Sequence, residues 1–85
     1  MISFTHVIAG AQGLHARPVA EIARRALDCE SLVTISVRDR STDAKDMVGL
    51  MGLDARCGET VEVTVAGADE ESTAATMQAV CKEFL

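Results

Sequence analysis

His15, Arg17 and Pro18 fall within one run, Gly13-Leu14-His15-Ala16-Arg17-Pro18, whose residue types and spacing can do chemistry. An imidazole carries a nitrogen lone pair able to take up an electrophilic group, and a guanidinium is a planar, permanently charged fork that matches phosphate oxygens. Proline fixes φ near the helical value and lacks an N–H, so Pro18 belongs in a first helical turn, where that donor would have had no partner. A helix therefore starts beside His15. Its first turn presents unpaired N–H groups and the positive end of the helix dipole to any anion held there. Gly13 gives the preceding loop its freedom. The combination suits a phosphoryl group carried on the imidazole. The plainer reading is a surface histidine ahead of an ordinary helix, and spacing alone does not separate the two.

The elements that position this run follow from periodicity. From Val19 the apolar residues recur as Val19, Ile22, Ala23, Ala26 and Leu27, an amphipathic helix stripe, with Glu21, Arg24 and Arg25 on the wet side. Upstream, Ile2 to Ile8 alternates as a first strand, with Ile2, Phe4, His6 and Ile8 on one face. His6 reads as a satisfied or edge-exposed strand histidine, because nothing near it has a metal or triad spacing. Leu32 to Arg38 is a second strand with Val33, Ile35 and Val37 inward, turning at Asp39-Arg40 into a short return over Ser41 to Asp43. Lys45 to Leu53 reads as a short helix with Asp46 at or near its N-cap, weakened by Gly49 and Gly52. Thr60 to Ala66 alternates again, with Val61, Val63 and Val65 inward. Asp69, Glu70 and Glu71 then open a last helix through about Phe84, which buries Met77, Val80, Cys81 and Phe84 with Thr73 or Ala74. The order strand, helix, strand, strand, helix, strand, helix predicts an α+β, open-faced two-layer sandwich. In it a four-stranded, mainly antiparallel sheet carries three helices on one face.

Composition narrows the functions. The chain's 85 residues form one small domain, and 48% hydrophobic content supports a folded globule. Phe4 and Phe84 are its only aromatics and the net charge is −5, which excludes a nucleic-acid binder built on basic grooves and stacking platforms. Arg17, Arg24, Arg25 and Arg56 can still form a basic neighbourhood at His15 suited to acidic partner proteins. A solvated helix face accounts for Arg25 more readily than for Arg17 or Arg24. Cys29, Cys57 and Cys81 are odd in number and widely spaced, and read as buried or inert thiols of a reducing cytoplasm rather than as ligands of a metal. No signal-peptide pattern and no long apolar run occurs, so a cytoplasmic protein without membrane insertion is expected.

The His15 run, the later segment Lys45-Asp46-Met47-Val48-Gly49-Leu50-Met51-Gly52-Leu53, the valine-alternating strand and the acidic-start final helix resemble, in order and spacing, the HPr family. These are the histidine-containing phosphocarriers of the bacterial phosphoenolpyruvate-dependent sugar phosphotransferase system. The resemblance covers essentially the whole chain and implies the same open-faced sandwich. It makes His15 the phosphoacceptor and Arg17 its charged neighbour, with the backbone N–H groups of Ala16 and Arg17 as phosphate donors. It implies enzyme I as donor and sugar-specific permease IIA components as acceptors. A carrier of this kind is a monomer with no cofactor or metal of its own. Arg24 and the exposed surplus of apolar residues, Met47, Val48 and Met51, would face partners, while Leu50 and Leu53 belong to the core.

Three positions depart from the family. Asp46 stands where many Gram-positive members carry a serine, phosphorylated by a regulatory kinase to recruit a transcriptional regulator. One carboxylate charge mimics phosphoserine only in part. The aspartate fits a member without that regulation, one locked toward the regulatory conformation, or an engineered mimic, and the first also meets the plain need for an N-cap. Gln12 replaces the usual asparagine or serine, and Gly52 loosens the second helix. A regulatory binding module centred on Asp46 is thus the alternative to a carrier. A free-standing hydrolase is disfavoured, since neither a nucleophile elbow nor a carboxylate pair lies near His15.

Overall fold

The computed structural model describes residues 1–85. Alternation of side chains dictates its sheet. In β1 (Ile2–Val7), β2 (Leu32–Val37) and β4 (Thr60–Ala66) every second residue turns toward the helices. Val33, Ile35, Val37, Val61, Val63 and Val65 are all buried. The opposite face is mostly small and polar, with Val7 and Leu32 exposed on it, and Ser3 and Thr64 share a hydrogen bond across it at 3.2 Å. A fourth strand, β3 (Arg40–Asp43), gives the order β1-β4-β2-β3, antiparallel at every pairing. β4 therefore lies between β1 and β2. This is the four-stranded open sheet with three helices that the sequence predicts.

The helices are α1 (Ala16–Leu27), α2 (Met47–Gly52) and α3 (Glu70–Phe84). α1 buries Pro18, Val19, Ile22, Ala23 and Ala26. Leu27, expected in that stripe, is 66% exposed. Eight residues past Val19 the helix has turned about 80° away from the start of the stripe, and the helix ends there. α3 buries Thr73, Ala74, Met77, Val80 and Cys81, whereas Phe84, also expected inside, is only partly covered. One core of 21 residues joins all these faces, with Ile2, Phe4 and Phe84 packed at its margin.

Two local expectations shift. The β2–β3 turn is Arg38-Asp39, not Asp39-Arg40, because Val37 pairs with Arg40. Arg38 sits at φ 55, a region that favours glycine. Its side chain compensates: the guanidinium binds the Glu59 carboxylate and donates to the Leu53 carbonyl at 2.6 Å, tying the hairpin to α2 and to the approach of β4. That contact, joined by the Arg56 backbone N–H, holds the Glu59 carboxyl below its ordinary range. The other shift concerns His6. It lies half-buried on the inward face of the edge strand β1, and its buried Nε2 has no hydrogen-bond partner.

Candidate functional site

The loop ahead of α1 is seated on the segment before β4. The Leu14 N–H donates to the Ala55 carbonyl at 2.9 Å, and Leu14 itself is buried. Gly13 is at φ +64, and a Cβ there would lie 2.4 Å from the Ala55 oxygen and 2.8 Å from Arg56 Cα. Only glycine allows both that turn and that approach. The chain consequently reaches His15 from a fixed anchor. His15 occupies the N-cap of α1 in extended backbone (φ −110, ψ −172), and its carbonyl accepts from the Val19 N–H at 3.0 Å. Its ring makes no capping hydrogen bond. The imidazole is thus relieved of the task an N-cap side chain usually performs.

Three backbone positions follow the cap. Pro18 has no N–H, and no turn, loop or cap hydrogen bond uses the N–H of Ala16 or Arg17. Two donors at the positive end of a helix of 12 residues stand beside His15. A shallow depression of about 350 Å³ is lined by His15, Arg17, Pro18, Glu83 and Phe84. Arg17 forms no ion pair, and its guanidinium lies over the Phe84 ring, 5.6 Å from the centroid. Arg25 approaches the same ring at 6.0 Å and Glu21 at 3.8 Å.

The remaining candidate residues divide. Arg24 is exposed and donates to Glu21 at 2.6 Å, an ion pair that neutralises it and holds the Glu21 carboxyl low. Arg56 pairs with Asp54 at 3.1 Å. Arg25, which also reaches Glu21, shares the Phe84 ring with Arg17, whereas Arg24 does not. Asp46 caps α2: its side chain accepts from the Gly49 N–H at 3.0 Å. Met47, Val48 and Met51 are 46, 83 and 47% exposed, while Leu50 and Leu53 are buried. Of the three thiols only Cys81 is buried, and burial pushes it up to about 11; Cys57 is exposed. The chain holds no metal-ligating cluster, and no helix is long and apolar enough to cross a membrane.

Glu83 and Phe84 are the residues that sequence reasoning missed at this site. Periodicity assigns Phe84 to the core and says nothing of Glu83. The one usable hint is compositional, since one of only two aromatics ends α3 while three arginines line α1.

A small open-faced sandwich that displays a histidine at a helix start, beside a shallow depression, falls in the class of domains that offer a side chain at an open surface rather than in an enclosed pocket. Comparison with known proteins narrows that class. The family model "PTS HPr component phosphorylation site" matches residues 2–83. A phosphocarrier protein HPr of Xylella fastidiosa is 31% identical over 84 residues, 99% of this chain and 91% of that protein. A multiphosphoryl transfer protein of Xanthomonas campestris is 34% identical over 77 residues; the match takes in 91% of this chain but only 9% of that much longer protein. Among solved structures, HPr-C-His from Thermoanaerobacter tengcongensis superposes with a TM-score of 0.92 at 28% identity, covering 98% of this chain and 93% of that one. The chain belongs to the HPr family, the phosphoryl carriers of the phosphotransferase system.

Proposed function

We propose that His15 is the residue on which this carrier holds its phosphoryl group. The observation that supports it is the N-cap: the ring takes no part in capping, and the Ala16 and Arg17 N–H groups beside it have no other partner. A ring nitrogen of His15 attacks the phosphorus of the donor in line, so that a new N–P bond forms as the donor's bond to phosphorus breaks. The negative oxygens meet the two N–H donors, the helix dipole and the Arg17 guanidinium. Release reverses the step toward an acceptor side chain. The donor is enzyme I, with phosphoenolpyruvate as ultimate source, and the acceptors are sugar-specific permease IIA components in the cytoplasm. Arg24 and the exposed Met47, Val48 and Met51 form the docking face.

Intact mass after incubation with phosphoenolpyruvate, magnesium and a bacterial enzyme I tests this reading. The wild-type chain should gain one acid-labile phosphoryl group and His15→Ala none; normal uptake by the alanine variant would overturn the assignment. Asp46→Ser, run in parallel, addresses the regulatory alternative. The Asp46 carboxylate is engaged in capping α2, and serine is an equally good cap, so uptake should persist. Binding of a transcriptional regulator by wild type that is lost in Asp46→Ser would move the regulatory module ahead.

A further inference from the structure

Arg17 is distinguished from its neighbours by what holds it. Arg24 is neutralised by Glu21, and Arg56 by Asp54. Arg17 has no carboxylate partner and instead rests over the Phe84 ring at 5.6 Å, with Arg25 at 6.0 Å from the same centroid. Arg17 and Arg25 are two turns apart on α1, about 12 Å of helix rise, so one aromatic ring fits between the two side chains. The ring is itself fixed, since Phe84 ends α3 and packs against the margin of the core.

We propose that Phe84 is a positioning residue for phosphoryl transfer, holding Arg17 at the rim of the His15 depression without tying its guanidinium into an ion pair. The inference rests on His15 as the phosphoacceptor. A free arginine on an exposed helix face samples many rotamers, and ordering it costs entropy when the phosphoryl group arrives. A carboxylate would order it but cancel the charge that the phosphoryl oxygens need. A ring face orders it through its quadrupole and cancels nothing. Phe84 lines the same depression as His15 and Arg17, so the guanidinium is held within the depression onto which His15 opens.

The test is a rapid-quench measurement of phosphoryl uptake from phosphorylated enzyme I, at limiting carrier, for wild type, Phe84→Leu, Phe84→Tyr, Arg17→Ala and the double variant Arg17→Ala/Phe84→Leu. Phe84→Leu should slow uptake about two- to fivefold, the size of an exposed cation–π contact. Phe84→Tyr, which keeps the ring, should restore the wild-type rate. In the Arg17→Ala background the leucine change should have no further effect. Circular dichroism melts check that each variant is folded. Equal rates for wild type and Phe84→Leu, or an equal loss with and without Arg17, would overturn the positioning role while leaving His15 in place. Absence of uptake by wild type, or uptake by His15→Ala, would instead remove the reading on which the inference stands.

Discussion

Asp69 shows how much one side chain can do where no pattern announces it. Its carboxylate accepts from the Glu30 N–H at 3.0 Å, from the Ser31 N–H at 2.9 Å and from the Ser31 hydroxyl, clasping the α1–β2 connection to the start of α3. The Ser31 hydroxyl and the Glu30 N–H lower its pKa from 3.8 to about 2. A depressed carboxyl stabilises the fold fully above its unfolded value, and that contribution is lost as pH falls from about 4 to about 2. Asp69→Asn should lower Tm by several degrees near neutral pH, and its Tm should fall less steeply than that of wild type across that acid window. Parallel Tm-against-pH curves would refute this account. The sequence marks Asp69 only as an acidic residue opening a helix, because its partners lie 38 and 39 positions away. A still longer separation, 67 positions, hides Phe84 from Arg17. By contrast, the capping role of Asp46 is legible, since both the side chain and its Gly49 partner fall within one turn.

Among the elements, α2 depends most on its surroundings. Six residues with two glycines are too few to persist alone. Asp46 caps its start, Arg38 and Arg40 donate to the Leu53 and Gly52 carbonyls at its end, and Leu50 anchors it in the core. The two glycines look alike in sequence but differ in space. A Cβ on Gly49 would lie 2.1 Å from Thr42 Oγ1 and 2.9 Å from Asp46 Oδ2, whereas one on Gly52 meets nothing within 4 Å. Gly52→Ala should therefore stabilise the protein by about 0.5–1 kcal/mol, and Gly49→Ala should destabilise it by about 0.5–2 kcal/mol through loss of the cap, both read from urea unfolding. A gain in both variants would mean that Thr42 and Asp46 move aside freely. Strand alternation and the long helices were readable because burial repeats along each element. The Arg38-Asp39 turn was not, since a left-handed arginine is held by partners at Leu53 and Glu59 rather than by local preference.

For the molecule as a whole, charge is laid out end to end along α3. Asp69, Glu70 and Glu71 open the helix, and about 22 Å further on Phe84 meets Arg17 and Arg25 beside His15. In a chain of net charge −5, Glu83 is the one carboxylate lining the depression, beside Arg17 and Phe84. The strand order carries a different consequence, one that concerns how the chain comes to be folded. Because β4 lies between β1 and β2, the first strand pairs with nothing made before residue 60; its partners run from Thr60 to Val65. A fragment of residues 1–59 should show no cooperative melt by circular dichroism, although it contains the β2–β3 hairpin and the whole of α1 and α2. A cooperative transition in that fragment would contradict it. On a ribosome, most of the chain must then emerge with β1 unpaired and β2 paired only to β3, and the sheet closes late, when β4 brings β1 against residues some 60 positions away.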